Sequence, residues 1–136
     1  MNQVLVDTNV VLDLLAEREP FVKEAAILFS LADQNKIELS ITALSFANTY
    51  YILAKHLGSS KAREILSRFK VLVKTLAIDD KVIELALSDN EFKDFEDAIQ
   101  HYCALENECS VIITRNQKDF KNSKIPVLSP KQFLSK

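Results

Sequence analysis

Short apolar runs alternate along this chain with stretches in which apolar residues recur at every third or fourth position, the two signatures of buried strand and amphipathic helix. Residues 3–6 read as a buried strand that stops at the polar Asp7-Thr8-Asn9, and residues 10–16 restart as helix. Pro20 suits the first turn of a longer helix over residues 21–34, in which Val22, Ala25, Ala26, Phe29 and Ala32 share a face. Residues 37–41 read as a second strand. Thr42 then caps a helix that runs to His56 and ends at Leu57-Gly58, and Ser59 or Ser60 caps another through Phe69. Residues 71–76 are a third strand. Asp79 caps a helix over residues 80–87, and Asp94 opens one that runs to Glu106.

The run Ser110-Val111-Ile112-Ile113 is the strongest strand signal, β-branched and closed by the polar Thr114-Arg115-Asn116. A helix is expected after it, then a short strand at Pro126-Val127-Leu128. Ser129-Pro130-Lys131-Gln132 supplies a cap, a proline and a Gln three after the Ser, which together start a last helix. Strands separated by helices imply a mainly parallel sheet, because parallel neighbours need crossovers. The fold class is therefore an α/β three-layer sandwich. In such sheets ligands gather beyond the carboxyl ends of the strands, where Asp7 and residues 114–116 fall.

Composition narrows the class further. A chain of 136 residues, 48% hydrophobic and 26% charged, fits one domain over residues 1–136. One glycine and three prolines exclude collagenous, linker-rich and Gly-looped designs, so a Walker loop, GxGxxG and GxSxG are all missing. No apolar run approaches the ~20 residues of a membrane span, and the first residues lack the features of a signal peptide, so a cytoplasmic location without membrane contact is expected. Cys103 and Cys109 are expected as reduced, core-facing thiols.

Net charge is −2, but it is segregated. Residues 79–108 carry ten acids against Lys81 and Lys93, a local −8, whereas residues 55–74 and 115–136 are each +5. Each stretch also has the plainer reading of a solvated face.

Three clusters carry candidate chemistry. Asp7 follows a buried strand, so its carboxylate is held by a rigid element in the sheet-end crevice, as a metal ligand or catalytic group requires; as an isolated feature it also reads as a helix cap. Asp94 and Asp97 lie three apart on one helical face, and two adjacent carboxylates favour a hard cation such as Mg²⁺ or Mn²⁺. Asp94 alone also reads as a cap, and Glu96, pointing elsewhere, reads as solvated. The third cluster is Thr114-Arg115-Asn116-Gln117-Lys118-Asp119-Phe120, which brings polar groups and a further carboxylate to a strand end. His56 and His101 stand alone, so zinc is not expected, and His101 reads as an exposed helix residue. Phe95, Tyr50, Tyr51 and Tyr102 read as core or interface rather than base-stacking platforms.

The set DTNVVLD, DFEDAIQ and TRNQKDF, in this order and spacing along almost the whole chain, resembles the PIN domain family, and within it the VapC-like ribonuclease toxins. The resemblance implies a Mg²⁺- or Mn²⁺-dependent endoribonuclease in which acids from several elements converge on the ion. Asp7 matches the first acid and Asp97 the third; Asp94 lies on the same face, and the fourth position falls on Asn116 or Asp119. Asn9 and Thr114 stand beside these as supporting residues. The chain departs from the pattern at Asn48, where the family usually carries a Glu, and the loss of one negative ligand weakens a site for hard cations. The resemblance also implies an RNA substrate, a small antitoxin partner and a homodimer. Asn48 favours a different class, a catalytically weak PIN-fold module that binds RNA or a partner protein. The same layered layout also allows a phosphoacceptor domain using Asp7, although no second acid stands beside it in the sequence.

Overall fold

The computed structural model describes residues 3–136. The chain forms β1 (Gln3–Val6), α1 (Thr8–Leu15), α2 (Val22–Asp33), β2 (Glu38–Thr42), α3 (Ala43–Leu57), α4 (Ser59–Lys70) and β3 (Lys74–Leu76). It continues with α5 (Asp80–Ser88), α6 (Phe95–Glu106), β4 (Val111–Ile113), a 3₁₀ turn (Gln117–Phe120), β5 (Val127–Leu128) and α7 (Pro130–Leu134). Among the described residues, no helix is long and apolar enough to cross a membrane.

All strand pairs are parallel and the sheet order is β3-β2-β1-β4-β5. The chain winds outward from β1 through β2 to β3, then returns to the other side of β1 for β4 and β5. The direction of winding therefore reverses between β1 and β4, and a crevice opens at their carboxyl ends. Register decides what stands there. Val6 pairs with Ile113, and the Asp7 amide donates to the Ile113 carbonyl at 2.9 Å, so Asp7 and Thr114 leave the sheet side by side.

Strand alternation sorts the apolar residues into two layers. Val4, Val6, Val111 and Ile113 pack with Val10, Leu28 and Phe29 on one face, whereas Leu5 and Ile112 pack with Val82, Tyr102, Cys103 and Phe120 on the other. Full burial of each such aliphatic side chain contributes roughly 1.5 to 3 kcal/mol, which clamps the strand ends that carry the polar turns. Cys103 and Cys109 are free and buried, and burial pushes their thiols up to about 12 and about 11.

Several expected boundaries move. The third strand begins at Lys74 rather than Val71, because the chain leaves α4 through a turn in which Val71 is 85% exposed. Gly58, at φ 89°, occupies the cap position of α4 without a side-chain hydrogen bond, so neither Ser59 nor Ser60 caps it. The helix expected between the last two strands is a single 3₁₀ turn, and Pro20 lies in the turn before α2 rather than inside its first turn. Thr42, Asp79 and Asp94 do cap α3, α5 and α6, and Ser129 with Gln132 closes the expected capping box. His101 is fully buried instead of exposed: its Nε2 accepts from the Lys124 amide at 3.0 Å, and desolvation lowers its pKa.

Candidate functional site

The sheet-end crevice is a cavity of ≈ 570 Å³ whose lining includes Asp7, Asn9, Asn48, Asp94, Glu96, Asp97, Asn116 and Asp119. Four sequence-distant segments thus deliver oxygen donors to one space. Thr114 is fully buried behind Asp7.

Asp7 is 8% exposed and held by donors on both carboxylate oxygens. Oδ1 accepts from the Thr8 amide at 2.8 Å and from Gln100 Nε2 at 3.2 Å. Oδ2 accepts from Thr114 Oγ1 at 2.8 Å and Asn9 Nδ2 at 3.4 Å. Capping of α1 and presentation to the cavity are therefore compatible roles of one side chain. Asn9 also donates to Thr114 Oγ1 at 3.1 Å and accepts from the Arg115 amide at 3.3 Å, which ties the β1 end to the β4 end.

Asp97 lies in the first turn of α6 and is partly buried. Burial, reinforced by the carboxylates of Asp7, Asp94, Asp119 and Glu96, pushes its carboxyl up from 3.8 to about 7. Among the described residues no cationic side chain pairs with Asp7, Asp94, Asp97 or Asp119. Asp94 Oδ1 accepts from the Glu96 amide at 2.8 Å, so Asp94 caps α6 as well as lining the cavity. Asn116 and Asp119 both line it, from the start of the 3₁₀ turn and from within it.

Glu96 is exposed, as its position in the sequence suggested, and it also takes a partner. Asn48 Nδ2 donates to Glu96 Oε1 at 2.8 Å, bridging α3 and the first turn of α6 at the cavity wall. The helix that lacks an acid at position 48 therefore holds one on its amide.

Gln100, Ser45 and Asp13 support the site without having stood out in the sequence. Gln100, 3% exposed, donates from Nε2 to Asp7 and to Ser45 Oγ at 2.9 Å while accepting from Thr42. Ser45 and Thr8 share a hydrogen bond of 2.6 Å. Asp13, 1% exposed, accepts from Arg18 Nε at 3.1 Å and from Arg115 Nε at 2.6 Å. The available signal was spacing: Gln100 is three residues after Asp97 on the same helix, and Asp13 is six after Asp7 in a helix otherwise apolar from Val10 to Leu15. Tyr51, expected in core or interface, is 70% exposed and lines the cavity rim.

A second cavity of ≈ 320 Å³ shares Asp94, Asp97 and Asp119 with the first and adds Lys93, Lys118 and Lys121. Of the two basic stretches, the one over residues 115–136 thus contributes to this groove. The stretch over residues 55–74 lines neither cavity; its Arg63 stacks over Tyr50 at 5.7 Å and its Arg68 pairs with Glu64 at 3.0 Å.

Carboxylate and amide oxygens are the donors that Mg²⁺ and Mn²⁺ take, and repulsion among the carboxylates around Asp97 is relieved by a cation. The donor set fits such an ion. Among the described residues no three His, Cys, Asp or Glu side chains stand close enough together to enclose one, so water and the amide oxygens would complete its coordination.

The chain is similar to known proteins in sequence and in fold. A sequence model of the family described as PIN domain matches residues 3–118. The chain is 30% identical over 135 residues to a protein named ribonuclease VapC1 from Aquifex aeolicus (strain VF5), spanning 96% of this chain and 92% of that one. A toxin-antitoxin complex from Klebsiella pneumoniae contains a chain similar at a TM-score of 0.70 and 25% identity, covering 93% of this chain and 97% of that one. DNA-bound VapBC from Salmonella typhimurium has a chain similar at a TM-score of 0.75 and 16% identity, with 96% and 99% covered, a likeness of fold.

Proposed function

The chain belongs to the PIN domain family, and from that premise we propose that its 136 residues act as one divalent-metal-dependent endoribonuclease, the toxin of a toxin-antitoxin pair. The observation that carries the reading is the convergence of Asp7, Asp94, Asp97, Asn116 and Asp119 on one cavity at the β1/β4 crevice. The relative named ribonuclease VapC1 supports the RNA substrate, and the Klebsiella toxin-antitoxin complex supports a small antitoxin partner. A cytoplasmic location and a homodimer are proposed on the family resemblance.

Asp7 and Asp97 are the principal ligands in this reading, with Asp94 and either Asn116 or Asp119 completing the set. When bound, Mg²⁺ or Mn²⁺ supplies charge neutralisation at the phosphoryl group and acidifies an attacking water. The chain's own residues prepare for this. Asp7 is oriented by Thr8, Asn9, Gln100 and Thr114, so its carboxylate needs little reorganisation. Asp97 carries a proton up to about pH 7 and releases it from its carboxyl as cationic charge arrives. Lys93, Lys118 and Lys121 line the adjoining groove, where they attract the phosphate backbone of a bound strand.

Incubation of the purified protein with single-stranded RNA tests the reading. Cleavage is expected with Mn²⁺ or Mg²⁺, lost in excess chelator and lost in Asp7→Asn and Asp97→Asn. Undiminished cleavage in chelator, or in both variants, contradicts it.

Asn48 favours a second reading, a catalytically weak module that binds RNA or a partner protein, because an amide replaces a charged ligand. In that case Asn48→Glu produces a large gain in cleavage. With the ligand set already complete, it produces none.

A further inference from the structure

The cavity that collects the carboxylates of Asp7, Asp94, Glu96, Asp97 and Asp119 has a single cationic residue in its described lining, Arg18. A divalent ion offsets only part of that negative charge, so an RNA phosphate entering the cavity still meets repulsion. A cation fixed on the wall answers this. We infer that Arg18 grips the phosphodiester of the bound RNA strand; the inference rests on the nuclease reading above and adds to it a substrate-binding residue.

The geometry holds Arg18 in place before any substrate arrives. After α1 the chain turns back through Glu17, whose φ of 51° is left-handed, and the Arg18 amide donates to the Asp13 carbonyl at 3.0 Å. The guanidinium then donates from Nε to Asp13 Oδ1 at 3.1 Å and from Nη2 to the Asn9 carbonyl at 3.1 Å. Asn9 in turn touches Asp7, so the cation is coupled through one residue to the first acid of the site. A planar guanidinium held at one edge presents its remaining donors in the fork that suits phosphate oxygens.

Charge accounting supports the same role. Asp13 is shared between two arginines, for Arg115 also donates to it, at 2.6 and 3.1 Å, and stacks over Phe21 at 3.7 Å. One carboxylate against two guanidinium groups leaves a surplus positive charge. Arg115 lines a different cavity, with Phe21 and Pro130, whereas Arg18 lines the acidic one and keeps 42% of its side chain exposed. A purely structural tether between the α1 exit and Asp13 accounts for the inner contacts but gives no reason for Arg18 to line the acidic cavity.

The test compares wild type, Arg18→Gln and Arg18→Lys in two measurements on the full chain. These are steady-state cleavage of a single-stranded oligoribonucleotide at saturating Mn²⁺, and Mn²⁺ titration without RNA. Arg18→Gln is expected to raise KM about tenfold or more and to reduce the salt dependence of KM by about one phosphate contact. Its Mn²⁺ affinity should be unchanged or higher, because a positive charge has left the cavity. Arg18→Lys, which keeps charge and loses the fork, is expected to raise KM about threefold. A tether without substrate contact would not move KM and Mn²⁺ affinity apart in this way. A wild-type KM and salt slope in Arg18→Gln overturn the inference, as does a parallel loss of Mn²⁺ binding. Should Arg18→Gln fail to fold, a wild-type KM in Arg18→Lys overturns it. Wild-type protein that cleaves no RNA with Mn²⁺ refutes instead the nuclease reading, and the Arg18 role with it.

Discussion

The Asn48 side-chain amide donates to the Glu96 carboxylate across 2.8 Å, joining α3 to the first turn of α6 at the wall of the acidic cavity. A negative charge therefore sits next to Asn48, delivered by a different helix. Glu96→Gln is expected to weaken Mn²⁺ binding about tenfold, the usual scale for a partner group around a metal site. Asn48→Glu alone should gain little, whereas the exchange Asn48→Glu with Glu96→Gln should recover near wild-type affinity. Calorimetric titration of the three variants checks this, and unchanged affinity in Glu96→Gln removes Glu96 from the site.

Asp97 gives the cation-free protein a particular pH dependence. Its carboxyl holds a proton to about pH 7 in the folded state, against 3.8 in the unfolded chain. Between these values the folded state binds more protons, so this group lowers stability progressively as pH rises from about 4 to about 7, with no further change above. Thermal melts in chelator should therefore show Asp97→Asn gaining on wild type across that window while losing cleavage altogether. Parallel melting curves at every pH would mean that Asp97 is an ordinary carboxylate.

Four donors point at the carboxylate of Asp7. Asp7→Asn turns one acceptor into a donor facing donors, and about 1 to 3 kcal/mol of stability should be lost along with activity. Urea unfolding without metal measures it. An Asp7→Asn protein as stable as wild type would show that the hydrogen bonds around this carboxylate contribute little.

Asn116 and Asp119 both line the cavity, and charge separates them. Asp119 is among the carboxylates that raise the Asp97 pKa, so its removal lowers the negative potential that an ion experiences. Asp119→Asn is expected to weaken Mn²⁺ affinity more than Asn116→Ala. The reverse order in a side-by-side titration would make Asn116 the fourth ligand.

The succession of strands and helices along the chain and most of the helix caps were legible because each rests on local chemistry. The β-branched run at Val111 to Ile113 and the side chains of Thr42, Asp79 and Ser129 act on neighbours within four residues. What sequence could not show were contacts across elements. His101 reads as exposed on its own helix, yet Phe92 stacks at 4.9 Å and the Lys124 amide reaches its ring, so the burial comes from loops far along the chain. The Asn48–Glu96 contact was hidden for the same reason, since the two residues lie on different helices. The Asp7, Asp97 and 114–119 segments were identifiable as candidates, but their meeting depends on β4 returning to pair beside β1.

We propose that Asp7 beyond β1, Asp97 in α6 and the Asn116–Asp119 segment together hold a divalent ion, and titration of Mn²⁺ into the cation-free protein tests this most directly. One bound ion per chain is expected, with proton release below about pH 7 as Asp97 ionises, and with binding abolished in Asp97→Asn. Saturating Mn²⁺ with no heat, no proton release and no rise in melting temperature, or the same binding in Asp97→Asn as in wild type, would contradict it.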